Sequence, residues 1–254
     1  MEVAAQRLAY DLAQRTLNGI TKPLGLVEKQ SAGNEPYQTL VGQMGPAPVG
    51  SIRIFEGTAS GPQIRVVYVS LVVPAFGLDS HMLYAFADPS SLTPHFTLDS
   101  VGSGDGQAFH LDFTPRVELS TNIAYVDHCF VPVTNAWEQA QAISGMELAN
   151  LKRRQWSVMS PWMLANRATS EAFLAVGAVV DAYRDHWLSM VTAGVPASTA
   201  PTMTPQAIAD RDTSLRANIF SPDVDPVWAL VDRLVGQQVS GRIQELLRDS
   251  EAML

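Results

Sequence analysis

The chain has 254 residues, of which 46% are hydrophobic and 17% charged, and its formal net charge is −8. This composition is globular and excludes an intrinsically disordered chain, while the acidic balance argues against nucleic acid as a partner, which needs a net basic surface. The one cysteine, Cys129, excludes an internal disulfide and multi-cysteine metal centres, and it favours a reducing cytoplasm.

The N-terminal segment predicts an amphipathic helix of about four turns that ends near Gly19 and Pro23. Its apolar residues recur at helical spacing: Val3, Leu8, Leu12 and Leu17. The segment lacks a signal-peptide core, and no apolar run in the chain reaches the roughly 18 residues of a membrane span. We therefore expect a cytoplasmic protein with no membrane span. Residues 24–50 are rich in glycine, proline and polar residues and predict an irregular connection.

Five runs of β-branched and aromatic residues follow, separated by turn sequences. They are residues 51–55, 64–73, 82–87, 95–100 and 109–113. The runs stand too close together for crossover helices, so they predict an antiparallel sheet.

The last two of these strands carry polar side chains at every second position. These are His95, Thr97 and Asp99 on one strand, and His110 and Asp112 on the other. The glycine-rich residues 102–106 between them are expected to close a hairpin. A carboxylate that lies among apolar neighbours tends to have a raised pKa, as a proton donor near neutral pH requires. The alternative is that both aspartates face water on an ordinary antiparallel sheet.

The second half of the chain is helical in pattern. Helices are predicted over residues 133–143 with Thr134 or Asn135 as N-cap, within 161–191, as a short helix opened by Thr204 and Pro205, and over 225–247. We expect a single α+β domain over residues 1–254, because only the helical half can cover the sheet. The expected architecture is an α/β/α sandwich with a central, mostly antiparallel sheet of about six strands and helices on both faces.

Several kinds of site find no support. The glycine-rich turn lacks both phosphate-loop patterns, and the five histidines lack zinc-ligand spacing, so no bound metal is expected. Asp127, His128 and Cys129 are adjacent, and on a strand they would point in opposite directions, which argues against a Cys–His nucleophile. A hydrolase would need a nucleophile that the sequence does not offer.

Carboxylates near the predicted sheet, together with Asp223 and Asp225 from the C-terminal half, suit proton transfer to a substrate that receives its electrons elsewhere. Asp225 has a second interpretation as a helix N-terminal residue, with Pro226 at the first helical position and its charge favouring the helix dipole.

Two motifs resemble those of ferredoxin-dependent bilin reductases and red chlorophyll catabolite reductase. In those proteins a proline, an aromatic and an acid five residues after the proline precede an L-D-[FL]-x-P-like run. Here Pro94, Phe96 and Asp99 precede the run 111–115. The pair Asp225-Pro226, with a glycine eleven residues later, is similar to the family's C-terminal motif.

The resemblance implies an α/β/α sandwich that reduces a linear tetrapyrrole with electrons from reduced ferredoxin and without a bound cofactor. It makes Asp99 and Asp225 the proton donors. It also implies a catalytic histidine about seventeen residues before the strand acid, for which His81, eighteen residues before Asp99, is the candidate.

The resemblance leaves the substrate contacts open. Further candidates to contact the pigment are His95, Thr97, His110 and Asp223. Some bilin reductases have a basic residue after the C-terminal aspartate, but this chain has Pro226 at that position. Arg65, Arg116 and Arg216 are therefore the candidates to bind a propionate, and they are chosen by their charge alone.

Lys152, Arg153 and Arg154 could dock acidic ferredoxin or form a solvated face. The rival function is a pigment carrier on the same fold that performs no turnover.

Overall fold

A sheet of nine strands, counted within the described residues, forms the middle of the protein. The computed structural model describes residues 7–31, 33, 35–59, 61–104 and 106–248. The strands are β1 (Val27–Lys29), β2 (Gln38–Val41), β3 (Pro48–Glu56), β4 (Ile64–Val73), β5 (Leu78–Ala87), β6 (His95–Ser103), β7 (Gly106–Thr114), β8 (Met146–Leu148) and β9 (Leu164–Ala168).

The strands follow the order β1-β3-β4-β5-β6-β7-β9-β8, and β2 also pairs with β3. Every described pair is antiparallel. The predicted hairpin of β6 and β7 is present and turns at Gly104, whose φ of 58° suits glycine. Asp105, the next residue of that turn, lies outside the described residues.

Helices cover both faces of the sheet. They are α1 (Leu8–Thr21), α2 (Ile123–Cys129), α3 (Thr134–Gln141), α4 (Arg153–Val158), α5 (Ser170–Ala193), α6 (Pro205–Ile219), α7 (Val227–Val235) and α8 (Gln237–Arg248). One face, called here the α5 face, packs against α1, α2, α3 and α5. The opposite face, the α7 face, packs against α7 and α8. The α+β sandwich and its antiparallel sheet are confirmed, but the expected number of strands was too low.

The extra strands lie where other structure was predicted. Residues 24–50 contain β1 and β2 rather than an irregular connection, and β9 lies inside the range 161–191 that was assigned to a helix. These strands have three to five residues, too few for alternation to show a period of two. Helix α5 begins only at Ser170, capped by the Thr169 hydroxyl, which accepts a hydrogen bond from Ala172 N–H.

Several helix boundaries also differ from the predictions. Asp127, His128 and Cys129 lie on helix α2 rather than on a strand. The N-cap of α3 is Val133, not Thr134 or Asn135. The predicted helix over 225–247 is divided by Gly236, whose φ of 86° interrupts the helix between α7 and α8.

The predicted N-terminal helix is present from Leu8, and Val3 lies outside the described residues. The helix continues through Gly19 to Thr21. Within the described part of the chain, no helix combines the length and apolar character that a membrane crossing needs.

Candidate active site

Polar side chains form two rows across the middle strands on the α7 face. Cross-strand register places Asp99 between Met82 on β5 and His110 on β7. The next row contains Tyr84, Thr97 and Asp112. Since residues opposite one another on antiparallel strands point to the same side, these side chains share one surface.

This surface forms the floor of a pocket that the C-terminal half closes. The pocket has a volume of about 40 Å³. Its lining comprises Tyr84, Thr97, Asp99, His110, Asp112, Thr114, Gln155, Val158, Met159, Ile219, Phe220, Val224, Asp225 and Trp228. The structure thus brings Asp99 and Asp225 to one pocket, together with the predicted residues Thr97 and His110. Space of this size holds a few water molecules, whereas sites for drug-sized ligands take roughly 300–1,000 Å³.

Asp99 and His110 face each other with unused hydrogen-bonding capacity. His110 Nδ1 lies 3.5 Å from Asp99 Oδ2, and the Tyr84 hydroxyl donates to the same oxygen over 3.4 Å. Asp99 Oδ1 and His110 Nε2 are buried and have no hydrogen-bond partner among the described residues. Buried polar atoms without partners are costly, so both are suited to bind a ligand. Burial lowers the pKa of His110, but the nearby carboxylates, Asp99 foremost, outweigh it and raise the pKa overall.

Asp112 is a further carboxyl group of the pocket and is held firmly. Its Oδ1 accepts from the Ser160 hydroxyl at 2.5 Å and from Phe113 N–H at 2.8 Å, and its Oδ2 accepts from Ser160 N–H at 3.0 Å. Burial raises the pKa of Asp112 to about 6, against the lowering effects of His110 and of these hydrogen bonds. Asp112 can therefore hold a proton at mildly acidic pH.

Asp225 enters the pocket from the segment before α7. Its Oδ1 accepts from Val227 N–H at 3.0 Å and from Gln155 Nε2 at 3.3 Å. Burial raises the pKa of Asp225, and the charge of Asp99 raises it further. Asp225 thus serves the start of α7 and the pocket together. Pro226 occupies the N-cap position of α7 rather than the first helical position.

His81 points away from the pocket and does not lie beside Asp99. It lies beneath α1 on the α5 face, where its Nδ1 is 2.6 Å from the Tyr68 hydroxyl and its Nε2 is 2.8 Å from Asp79 Oδ1. Successive residues of a strand face opposite sides of the sheet, so the one-residue offset from the expected spacing decides the outcome. The residue seventeen positions before Asp99, and directly opposite it, is Met82.

Three residues predicted to bind substrate form a buried ionic cluster instead. Asp212 of α6 lies 2.5 Å from Arg116 Nη1, 2.6 Å from His95 Nε2 and 3.6 Å from Arg216 Nη1. The Nδ1 of His95 accepts from Ala87 N–H, so Nε2 carries the ring proton and donates to Asp212. Burial and the charge of Arg116 lower the pKa of His95 to about 3, which keeps the ring neutral. These side chains bind one another, and none of them lines the pocket.

The other predicted contacts divide between the sheet and the surface. Arg65 is mostly buried on the α7 face, with its Nε 3.6 Å from Glu56 Oε1, and it does not line the pocket. Asp223 is exposed and outside the pocket lining, and its carbonyl oxygen accepts from Arg154 Nη1. Neither position favours contact with a ligand in the pocket.

The basic run lies at the rim of the pocket. Lys152 is the N-cap of α4, and Arg153 and Arg154 form its first turn, all three exposed. The following residues of the same short helix, Gln155 and Val158, line the pocket. A partner that docked on these cations would therefore stand close to the carboxyl groups.

Most of the lining residues were not predicted, among them Tyr84, Gln155 and Trp228. Tyr84 could have been found from alternation along its strand, because it shares a face with Met82. Gln155 and Trp228 carried no such signal, since tertiary packing alone brings them to the pocket. The indole Nε1 of Trp228 is buried without a hydrogen-bond partner among the described residues.

The pocket is equipped for proton transfer. Carboxyl groups at Asp99, Asp112 and Asp225 surround one imidazole, and two of the three have raised pKa values. A carboxyl group whose pKa is raised, as at Asp112 and Asp225, is better suited to donate a proton to a bound ligand than one with an ordinary pKa. Among the described residues, no cluster of three or more His, Cys, Asp or Glu could hold a metal ion.

No family model matches the sequence, and no curated protein is significantly similar to it. A search of solved structures finds phytochromobilin synthase from tomato in complex with biliverdin, with a TM-score of 0.70 and 15% sequence identity. The match covers 95% of this chain and 82% of the tomato chain. The protein therefore has the same fold as phytochromobilin synthase from tomato.

Proposed function

We propose that this protein reduces a linear tetrapyrrole with electrons from ferredoxin and with protons from Asp99 and Asp225. One observation carries the proposal. These aspartates, from distant parts of the chain, line one pocket on the sheet of a fold that is shared with the biliverdin complex of tomato phytochromobilin synthase. The sequence motifs around both residues support the same conclusion.

Reduction of one double bond consumes two electrons and two protons. Two reduced ferredoxins, each giving one electron, supply the electrons and leave oxidised. Asp99 and Asp225 each give a proton to the pigment and regain one from solvent. The raised pKa of Asp225 favours the protonated carboxyl group that this step needs. His110 contacts Asp99 and is placed to return its proton.

The exposed cations Arg153 and Arg154 provide a docking surface for ferredoxin, because acidic partners are attracted to basic surface at short range. The net charge of −8 confines that attraction to the local patch. We further propose that residues 1–254 act as one domain, since helices from both halves of the chain cover a single sheet.

A carrier that binds the pigment without reducing it is the second candidate. Met82 favours this reading, because a thioether that cannot give a proton stands where the resemblance implies a histidine. An anaerobic assay with biliverdin, ferredoxin, ferredoxin reductase and NADPH separates the two. Progressive loss of the biliverdin absorbance supports the reductase, and a shifted but static spectrum supports the carrier. No shift at all rejects both.

Asp99→Asn tests the proton donor in the same assay. The variant should bind biliverdin and stop after the first electron, leaving a radical visible by electron paramagnetic resonance. Asp223→Asn is the matched control, since that exposed side chain lies outside the pocket, and it should turn over normally. Full turnover by Asp99→Asn would remove Asp99 from the mechanism.

A further inference from the structure

A second, larger cavity adjoins the carboxyl pocket at the end of α4. Its volume is about 510 Å³, within the range of sites for drug-sized ligands. Val158 and Met159 line both cavities and form the wall between them. The larger cavity is otherwise lined mainly by apolar side chains, among them Val117, Leu119 and Trp162.

One cation lines this second cavity. Arg211 of α6 has its Nε buried without a hydrogen-bond partner, and it makes no ion pair among the described residues. The neighbouring Asp212 points to the sheet, where it binds His95 and Arg116. Glu118 also lines the cavity, but its Oε1 accepts from the Ser120 hydroxyl and N–H. A guanidinium group with unpaired N–H donors is suited to bind a carboxylate of a ligand.

Helix α6 connects the two cavities along one of its faces. Arg211 and Leu215 line the larger cavity, and Ile219 lines the carboxyl pocket. Residues four apart share a helix face, and a rise of 1.5 Å per residue puts Arg211 about 12 Å from Ile219 along the axis. Ligand groups held at the two ends of this face would therefore be about two helical turns apart.

We infer that one linear tetrapyrrole occupies both cavities, with its reacting double bond among the aspartates and a propionate on Arg211. The inference rests on the proposed function and names the propionate site of that pocket. Binding requires Val158 and Met159 to move aside, and the flexible methionine side chain makes such repacking inexpensive. Two of the arginines that the sequence suggested for propionates, Arg116 and Arg216, are unsuited because they are already paired with Asp212.

Another large cavity is less suitable. It has a volume of about 450 Å³ and is lined by α7 and by the segment between β2 and β3, with Arg233 as its cation. None of its lining residues is a carboxylate or a histidine, and it shares no wall with the carboxyl pocket. A pigment bound there would lie away from every proton donor described above. Arg233 therefore provides a matched control for Arg211.

Absorbance titrations with biliverdin and with its dimethyl ester test the inference, using the wild-type protein, Arg211→Gln and Arg233→Gln. Arg211→Gln should weaken biliverdin binding about 10- to 100-fold, as expected for loss of hydrogen bonds between charged groups. The same variant should bind the ester, which has no free carboxylate, as the wild type does. Arg233→Gln should change neither affinity.

Three results would overturn the inference: biliverdin affinity unchanged in Arg211→Gln, equal weakening of both pigments by that variant, or a selective loss in Arg233→Gln instead. The turnover assay on the wild type reports separately on the proposed function. Selective loss in Arg211→Gln without any turnover by the wild type would keep the propionate site and reject the reductase. A wild type that binds neither pigment would reject both.

Discussion

Asp212→Asn tests whether the arginines beneath α6 support the fold rather than a ligand. The Asp212 carboxylate is 4% exposed and forms ion pairs with both Arg116 and Arg216, each about 2% exposed. The substitution keeps the shape of the side chain but leaves two buried guanidinium groups without this anion. Removing one partner of a buried ion pair costs about 3–5 kcal/mol. For a domain of this length that corresponds to a fall in Tm of roughly 6–20 °C.

The pH dependence gives the same test a second readout. Burial alone raises the pKa of Asp212, but His95, Arg116 and Arg216 together lower it to about 2. A carboxyl group whose pKa is lowered in the folded state stabilises the protein at pH values above the ordinary pKa of that group. This contribution to stability is lost as the pH falls towards 2. Lowering the pKa from 3.8 to about 2 is worth about 2.5 kcal/mol. Asp212→Asn should therefore lose less stability than the wild type between pH 4 and 2.

Urea denaturation followed by circular dichroism measures both effects. Asp185→Asn is the control, because its ion pair with Arg184 is on the surface and 63% of the Asp185 side chain is exposed. Exposed pairs contribute at most about 1 kcal/mol. If Asp212→Asn were no more damaging than the control but weakened biliverdin binding, the cluster would serve a ligand and the reasoning would be refuted.

Three further predictions concern the pocket, the backbone and the docking surface. The free energy of unfolding of Asp112→Asn, relative to that of the wild type, should increase by up to about 3 kcal/mol as pH rises from about 4 to 7. The reason is that the raised pKa of Asp112 makes its ionisation in the folded wild type costly. A difference in free energy that does not vary with pH would contradict this. Gly236→Ala should cost about 1–3 kcal/mol in urea denaturation, because its φ is 86°, whereas Gly241→Ala, with open space inside α8, should be neutral or stabilising by up to about 1 kcal/mol. The double variant Arg153→Glu, Arg154→Glu should raise the KM for ferredoxin on the order of tenfold in steady-state assays, because it reverses the charge of the docking surface. The Kd for biliverdin should not change. An unchanged KM for ferredoxin would exclude this docking surface.

The long strands could be predicted from sequence because β4 and β5 contain runs of β-branched and aromatic residues, while β6 and β7 alternate polar and apolar residues. The short strands could not, since three to five residues do not establish a period. Strand β9 was hidden for a second reason: Leu164, Ala165 and Ala168 favour helices as single residues, and only pairing with β7 makes them a strand.

The site was partly predictable for the same physical reason. Alternation places Asp99 and His110 on one face once the hairpin is closed. The face of His81 depends on register, and a shift of one residue reverses it. The arginines could not be assigned, because sequence shows a charge and not its partner. Arg116 and Asp212 are 96 residues apart and meet only in the folded chain.

The crowding of carboxyl groups around one imidazole has a consequence for the order of events. The pKa values of Asp112, His110 and Asp225 depend on one another, because the carboxylates raise the pKa of His110 and its positive charge lowers theirs. An electron arriving on a pigment among them adds one more negative charge to the same small volume. Under the proposed reductase function, we expect the electrostatic response to be uptake of a proton from the buffer after the first electron and before the second.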